Sequence, residues 1–255
     1  MSKQAQSLRL DRLLVSRGLG NRRDMQKLIR RGYVLCKDEV LKDPSMQVSV
    51  QASLIVDGEL SEALPELIAY HKPLHQLSTL RDPWGRSGLD FVLPQQWRES
   101  LHPVGRLDAD TSGLLLFSSS GTLTQFLLHP KRLLPRRYRA VVAGLPKDLA
   151  QSLHNGVETS LGVFTATLDQ QEVYEEAQHR DLVETDVESQ EAQGVVWLSV
   201  TEGKHRMVRR MLHNAGASVL ALHRESYGAI ELGDLKVGDY RLVTEESLQA
   251  LKTKR

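Results

Sequence analysis

Cysteine is nearly missing from this chain. Cys36 is the single cysteine in 255 residues, which excludes an intramolecular disulfide and a zinc site built from thiolates. That usage favours a reducing compartment. Long apolar runs are missing too. Nothing approaches the roughly 18 consecutive apolar residues of a membrane helix, so no membrane association is expected. The opening "MSKQAQSLRLDRLL" lacks the continuous apolar stretch of a signal peptide. There is no internal repeat and no low-complexity tract. What remains is an ordinary globular composition, 40% hydrophobic and 25% charged, long enough for one large domain or two unequal ones. A cytoplasmic protein is the expectation.

A net charge of +1 hides an uneven distribution. Residues 1–57 hold 11 Lys/Arg against 6 Asp/Glu, an excess of 11 − 6 = 5. Residues 169–191 hold 9 acids against one arginine, Arg180. A basic N-terminal module beside a separate acidic stretch points to a polyanionic partner.

The first module, residues 1–60, reads as two helices followed by short strands. "LDRLLVSRG" clusters Leu10, Leu13 and Leu14 and stops at Gly18. "NRRDMQKLIRRG" opens on a capping candidate, Asn21, and closes at Gly32. At about 100° per residue Met25, Leu28 and Ile29 share one side of this helix. Arg23, Lys27, Arg30 and Arg31 share the opposite side, with Arg22 on the flank. "YVLCKDEVLKD" and "QVSVQASLIVDG" supply strands. The polar "GELSEAL", 58–64, reads as the connection to a second domain over 65–255.

That second domain mixes strands and helices without the regular alternation of a doubly wound sheet, so the fold class is α+β. Strands are expected in "LIAYHKP", "GLLLFSS", "RRYRAVVAG", "GVFTATL", "GVVWLSV" and "YRLVT". Helices are expected in "GTLTQFLLHP", "KDLAQSLHNG", "HRMVRRMLHNAG" and "TEESLQALK". The acidic 175–193 reads as an exposed loop or insertion.

Three basic clusters stand out. The helix 21–32 has Asp24 as its only acid, in the first turn where the helix dipole favours it. "HPKRLLPRRYR" (129–139) and "EGKHRMVRRM" (202–211) are the other two. A single cluster is ordinarily a solvated face; three in separate regions form a track suited to phosphate, because each neutralised phosphate releases counterions. Nucleic acid is the expected ligand class. "GRLDADTSGLLL" adds two carboxylates, Asp108 and Asp110, ahead of a tight turn. The Asp-Thr-Ser-Gly order is not an aspartic-protease turn: a serine intervenes and no second copy exists. The carboxylates either cap backbone amides or do chemistry, and spacing does not separate the two aspartates.

"GRLDADTSGLLL", preceded by "AYHKP" and followed by "RRYRAVVAG" and "EGKHRMVRRML", resembles the pseudouridine synthases of the RsuA/RluA superfamily. The ending "LHRESYGAIELGDLKVGDYRLVTEESL" is most similar to its RsuA/RluB/RluE/RluF branch. The first module resembles the small S-four-type RNA-binding domain. The resemblance spans roughly residues 8–250. It implies a mixed, mainly antiparallel sheet in the catalytic domain and isomerisation of uridine to pseudouridine in ribosomal RNA, without cofactor or metal. Small-subunit 16S RNA is the leaning, large-subunit 23S RNA or a non-catalytic assembly factor the alternatives. A monomer acting on ribosomal RNA, naked or in an assembling subunit, is expected.

By the same resemblance Asp108 is the catalytic carboxylate, Arg209 the guanidinium that pairs with it, and Tyr138 the active-site tyrosine. Arg106 fills the space that an extruded uridine vacates. Lys204, Arg206 and Arg210 contact RNA near the site, and Arg22, Arg23, Lys27, Arg30 and Arg31 hold it from the N-terminal helix. Two features depart from the family: His75 stands where "KPxG" has glycine, and the acidic 175–193 has no family counterpart.

Overall fold

The computed structural model describes residues 7–61, 63–80, 87–89, 91–98, 100–179, 182 and 191–253. It divides into two compact units, one of the residues up to Glu66 with Leu93–His102, the other of Leu67–Val92 with Pro103 onward. Of the acidic stretch, residues 180, 181 and 183–190 lie outside the described residues.

In the first unit β1 (Ser7–Arg9) leads into α1 (Leu10–Ser16) and α2 (Arg22–Arg30). The sequence dictates both helix ends. Gly18 and Gly32 take φ of 76° and 82°, left-handed values that cost a glycine nothing. The Asn21 side chain caps α2 by accepting from the Asp24 amide at 3.1 Å. Strands β2 (Val34–Cys36), β3 (Glu39–Val40), β4 (Gln47–Ser49), β5 (Leu54–Val56) and β6 (Glu59–Ser61) follow. They form a sheet ordered β3-β2-β5-β6 and a β1-β4 pair. Strand β6 occupies part of the stretch 58–64 that reads as a connection. Its polarity misleads because an edge strand of a small sheet has little to bury.

Two buried charges brace this unit. Asp11, fully buried, accepts from Arg9, Arg22 and Gln26 at 3.1, 3.0 and 2.8 Å, tying α1 to α2. Arg17 donates from Nη1 to the Ser61 carbonyl at 2.7 Å and from Nη2 to the Val50 carbonyl at 3.1 Å. Around them pack Leu10, Leu14, Ile29, Val34 and Leu54, none with measurable exposure.

The second unit holds β7 (Leu67–Lys72), the Pro103 end of β8 (His102–Pro103), β9 (Thr111–Ser118), α3 (Gly121–Leu128), β10 (Arg136–Ala143), α4 (Leu149–Asn155), β11 (Val157–Thr159) and β12 (Gly162–Phe164). Then come β13 (Thr167–Val173), α5 (Glu176–His179), β14 (Gly194–Val200), α6 (Met207–Asn214), β15 (Ser218–Tyr227), β16 (Ile230–Glu231), β17 (Tyr240–Leu242) and α7 (Glu245–Thr253). The main sheet runs β13-β14-β10-β15-β9-β7-β17. Its pairs are antiparallel except β15 with β9, which are parallel. Leu114–Phe117 are buried completely, as a strand covered on both faces requires. The sheet packs through Leu67, Leu114 and Leu116 against Leu123 and Leu127 of α3 and Leu248 and Leu251 of α7.

Two strand expectations change. "GVFTATL" is split between β12, which pairs β11, and β13, which pairs β14. Strand β15, absent from the expected set, lies at the centre of the sheet between β10 and β9. Its run of His223, Arg224 and Glu225 hides it from a hydrophobic pattern, yet His223 and Arg224 are buried.

Candidate active site

The motifs of the second unit converge where β15 lies beside β9. In the parallel pairing Arg224 sits opposite Gly113. A Cβ on Gly113 would stand 2.3 Å from the Arg224 carbonyl oxygen, at a backbone φ of +102°. Only glycine permits that approach, so the last residue of "LDADTSG" sets how closely the carboxylate loop meets β15. The loop closes on itself through the Thr111 amide, which donates to the Asp108 carbonyl at 3.1 Å. It is also held from outside, since the His75 amide donates to the Ala109 carbonyl at 2.7 Å. His75 has φ 60°, the left-handed backbone that glycine adopts most readily.

Asp108, Arg106, Tyr138, Lys204, Arg206 and Arg209 all line one cavity of about 340 Å³, together with Arg136, Arg224 and Tyr227. These residues come from the loop before β9, from β10, from the stretch entering α6, and from β15. Arg210 does not line it; its Nη1 is buried without a hydrogen-bond partner among the described residues. The exposed Arg23, Lys27, Arg30 and Arg31 lie on α2 in the other unit. Arg22 is less free than its position suggests, because it ion-pairs with buried Asp11 at 3.0 Å.

The two aspartates differ in their surroundings. Asp110 Oδ2 meets Arg206 Nη2 at 2.8 Å and Arg209 Nε at 3.3 Å. Arg209 also donates to the Asp110 carbonyl at 2.5 Å and to the Val219 carbonyl at 3.2 Å. Burial pushes the Asp110 carboxyl up, but the Arg206 hydrogen bond and both guanidinium charges outweigh it and hold the group below the usual carboxylate range. The ion pair that sequence reading assigns to Arg209 with Asp108 is thus seen with Asp110. Asp108 lines the cavity and Asp110 does not. Arg206 itself has left-handed backbone, φ 53° and ψ 26°, at the start of α6, an unfavourable conformation for arginine that the Asp110 contact helps fix.

Sequence reading missed Lys72, Arg136 and Arg224. Lys72, without exposure, donates to the Pro73 carbonyl at 2.8 Å and the Thr111 carbonyl at 2.9 Å. Burial pulls its ammonium down to about 8, against the opposing charges of Asp110 and Asp108. Arg224 donates from Nε to the Leu114 carbonyl at 2.7 Å and from Nη1 to the Tyr138 hydroxyl at 3.4 Å. The available signal was a lysine ending the apolar run "LIAYHK" and an arginine inside "LALHRESY". On the other side of β15, burial together with His71 and Arg139 pulls His223 down to about 3, so its imidazole is neutral. Its Nδ1 lies 2.8 Å from Ser112 Oγ.

The family described as RNA pseudouridylate synthase matches residues 66–214, and the S4 domain matches residues 8–53. The chain is 31% identical, over 96% of its length and 95% of the relative's, to "Ribosomal large subunit pseudouridine synthase B" of Bacillus subtilis. It is 33% identical to the protein of the same name from Vibrio vulnificus, over 88% of this chain and 68% of that one. A solved structure called "Crystal structure of pseudouridylate synthase" superposes with a TM-score of 0.60 at 24% identity, covering 96% of this chain and 100% of that one; at that identity it bears on the fold. No helix among the described residues is long and apolar enough to cross a membrane.

Proposed function

Since the chain belongs to the RNA pseudouridylate synthase family and carries an S4 domain, we propose that it isomerises uridine in large-subunit ribosomal RNA, with Asp108 as its catalytic carboxylate. The observation that carries the choice of carboxylate is that Asp108 lines the cavity with Arg106 and Tyr138, while Asp110 is engaged by Arg206 and Arg209. Asp110 then acts as the anchor of the entry to α6. Sequence reading leaned to small-subunit RNA; the relatives from Bacillus subtilis and Vibrio vulnificus, both named for the large subunit, favour the alternative.

In this reading α2 and the exposed Lys204 hold the RNA by its phosphates and set its register. The uridine swings out of its stack into the cavity, and Arg106 takes its place. Tyr138 packs against the uracil. The bond from C1′ to N1 breaks, the base turns while enclosed, C5 bonds to C1′, and the proton lost from C5 is matched by one gained at N1. Asp108 supplies the negative charge that the reacting sugar or base meets. The enzyme works as a cytoplasmic monomer on RNA of an assembling subunit, which light scattering and cosedimentation with pre-ribosomal particles test.

Purified protein should form pseudouridine in a large-subunit transcript and leave a small-subunit transcript unmodified, read by nucleoside mass spectrometry. Asp108→Asn should abolish the product at unchanged RNA affinity, and Asp110→Asn should retain substantial activity at a lower melting temperature. Product confined to the small-subunit transcript would refute the target, and reversed aspartate phenotypes the carboxylate assignment.

A further inference from the structure

The cations around the cavity differ in depth. Arg106 and Lys204 are exposed, and Arg206 is half-buried. Arg136 and Arg224 are 8% and 3% exposed. Among the described residues the buried pair hydrogen-bonds to neutral oxygens only. Arg136 donates to the Thr201 carbonyl and the Tyr227 hydroxyl, both at 2.9 Å. Arg224 donates to the Leu114 carbonyl and the Tyr138 hydroxyl, and its Nη2 is buried with no hydrogen-bond partner among the described residues. Among the described residues neither guanidinium meets a carboxylate. Both lie over the Tyr227 ring, with Arg136 Cζ at 4.7 Å and Arg224 Cζ at 5.5 Å from its centroid.

A buried cation without an anion is costly, and one with an idle N–H leaves that cost unrelieved. Such an arrangement persists where a ligand supplies the missing charge. A nucleotide entering the cavity leads with its base, because its two phosphates stay in the RNA chain outside. The exposed Lys204 therefore meets phosphate, and the buried pair meets the oxygens of the base. Neutral uracil offers them only carbonyl oxygens. When the C1′–N1 bond breaks, its electron pair stays on the ring and the charge spreads onto O2 and O4. That charge is consumed when C5 bonds to C1′; the C5 proton then leaves and N1 takes one up, so the overall change is an isomerisation.

We propose that Arg224, with Arg136 reinforcing its field, is a catalytic residue that holds the detached uracil as its anion by donating to a ring oxygen. The interaction strengthens as the bond breaks, which is what accelerates a step. It also keeps the free base in place while it turns. Arg224 donates to the Tyr138 hydroxyl as well, so the contact to the base oxygen and the aromatic wall beside it are set by one side chain. The inference rests on the reading of the Asp108 cavity as the active site.

The test varies the leaving group. Fluorine at C5 stabilises the ring anion, so a fluorouracil base needs less help from the protein. Single-turnover loss of the N-glycoside is measured on large-subunit transcripts made with uridine or with 5-fluorouridine, for the wild type, Arg224→Gln and Arg224→Lys. Loss of one such buried donor is expected to slow the uridine reaction about 100-fold in Arg224→Gln and the fluorouridine reaction less than about tenfold, with Arg224→Lys between the wild type and Arg224→Gln. The ratio of the two rates in one preparation cancels any fraction of misfolded protein. Equal losses on both substrates would put the guanidinium on a phosphate or in the packing, and overturn the proposal. Asp108→Asn is run alongside: full activity there refutes the active-site reading itself, whereas an inactive Asp108→Asn with equal Arg224 losses refutes only this inference.

Discussion

Replacing Lys72 by methionine tests whether a buried ammonium stands beneath the carboxylate loop. Its Nζ donates to two carbonyls and has no exposure. Its pKa falls from 10.5 to about 8 because burial disfavours the charged form. The sign follows from proton counting. Between those values the unfolded chain binds more protons than the folded one, so stability rises with pH. Below about pH 8 the folded state carries the full cost of the buried charge, and above about pH 10.5 it carries none. At 1.36 kcal/mol per unit the full cost is about 3 kcal/mol. Between about pH 7 and about pH 9.5 roughly 2 kcal/mol of it is relieved. Lys72→Met lacks the titrating group but also loses both hydrogen bonds. It should destabilise the protein by about 2 kcal/mol more at the higher pH than at the lower one. Urea unfolding of both proteins at the two pH values measures this, and titrations elsewhere cancel in the difference. A destabilisation independent of pH would mean that Lys72 is solvated or neutral throughout, and the account of the loop's support would fall.

Gly113→Ala should cost about 3 kcal/mol or more, since strain at positive φ and overpacking each run to about 1–3 kcal/mol, and it should abolish turnover; a melting temperature within a degree or two of the wild type would contradict the 2.3 Å approach to the Arg224 carbonyl. His75→Gly should keep the fold and stabilise it by up to about 1 kcal/mol by relieving left-handed strain, whereas His75→Val should destabilise it, both read by thermal melts. The triple change Arg23→Ala, Lys27→Ala and Arg30→Ala should lower the log–log salt slope of RNA binding by about 2–3, at about 0.7–0.9 per phosphate; an unchanged slope would make that face of α2 merely solvated. Arg22 is omitted from this set because Asp11 holds it.

What the sequence determined by itself is local or written in contiguous residues. The α2 cap at Asn21, the stops at Gly18 and Gly32 and the doubly buried Leu114–Phe117 follow from backbone sterics and apolar patterning within a few positions. The motif order carried the family, because "GRLDADTSGLLL" packs several chemical requirements into one short stretch. Tertiary structure decided the rest. Strand β15 has too polar a run to read as a central strand, and it is one because antiparallel β10 and parallel β9 satisfy its backbone on both sides. Arg224 reaches the Leu114 carbonyl across a separation of 110 residues, which no spacing rule can encode. The two aspartates are two positions apart with identical chemistry, and only the approach of Arg206, just before α6, and of Arg209 on α6 distinguishes them. Charge, hydrogen bonding and burial at one point in space are sums over segments far apart in the chain; a window along the sequence sees one contributor at a time.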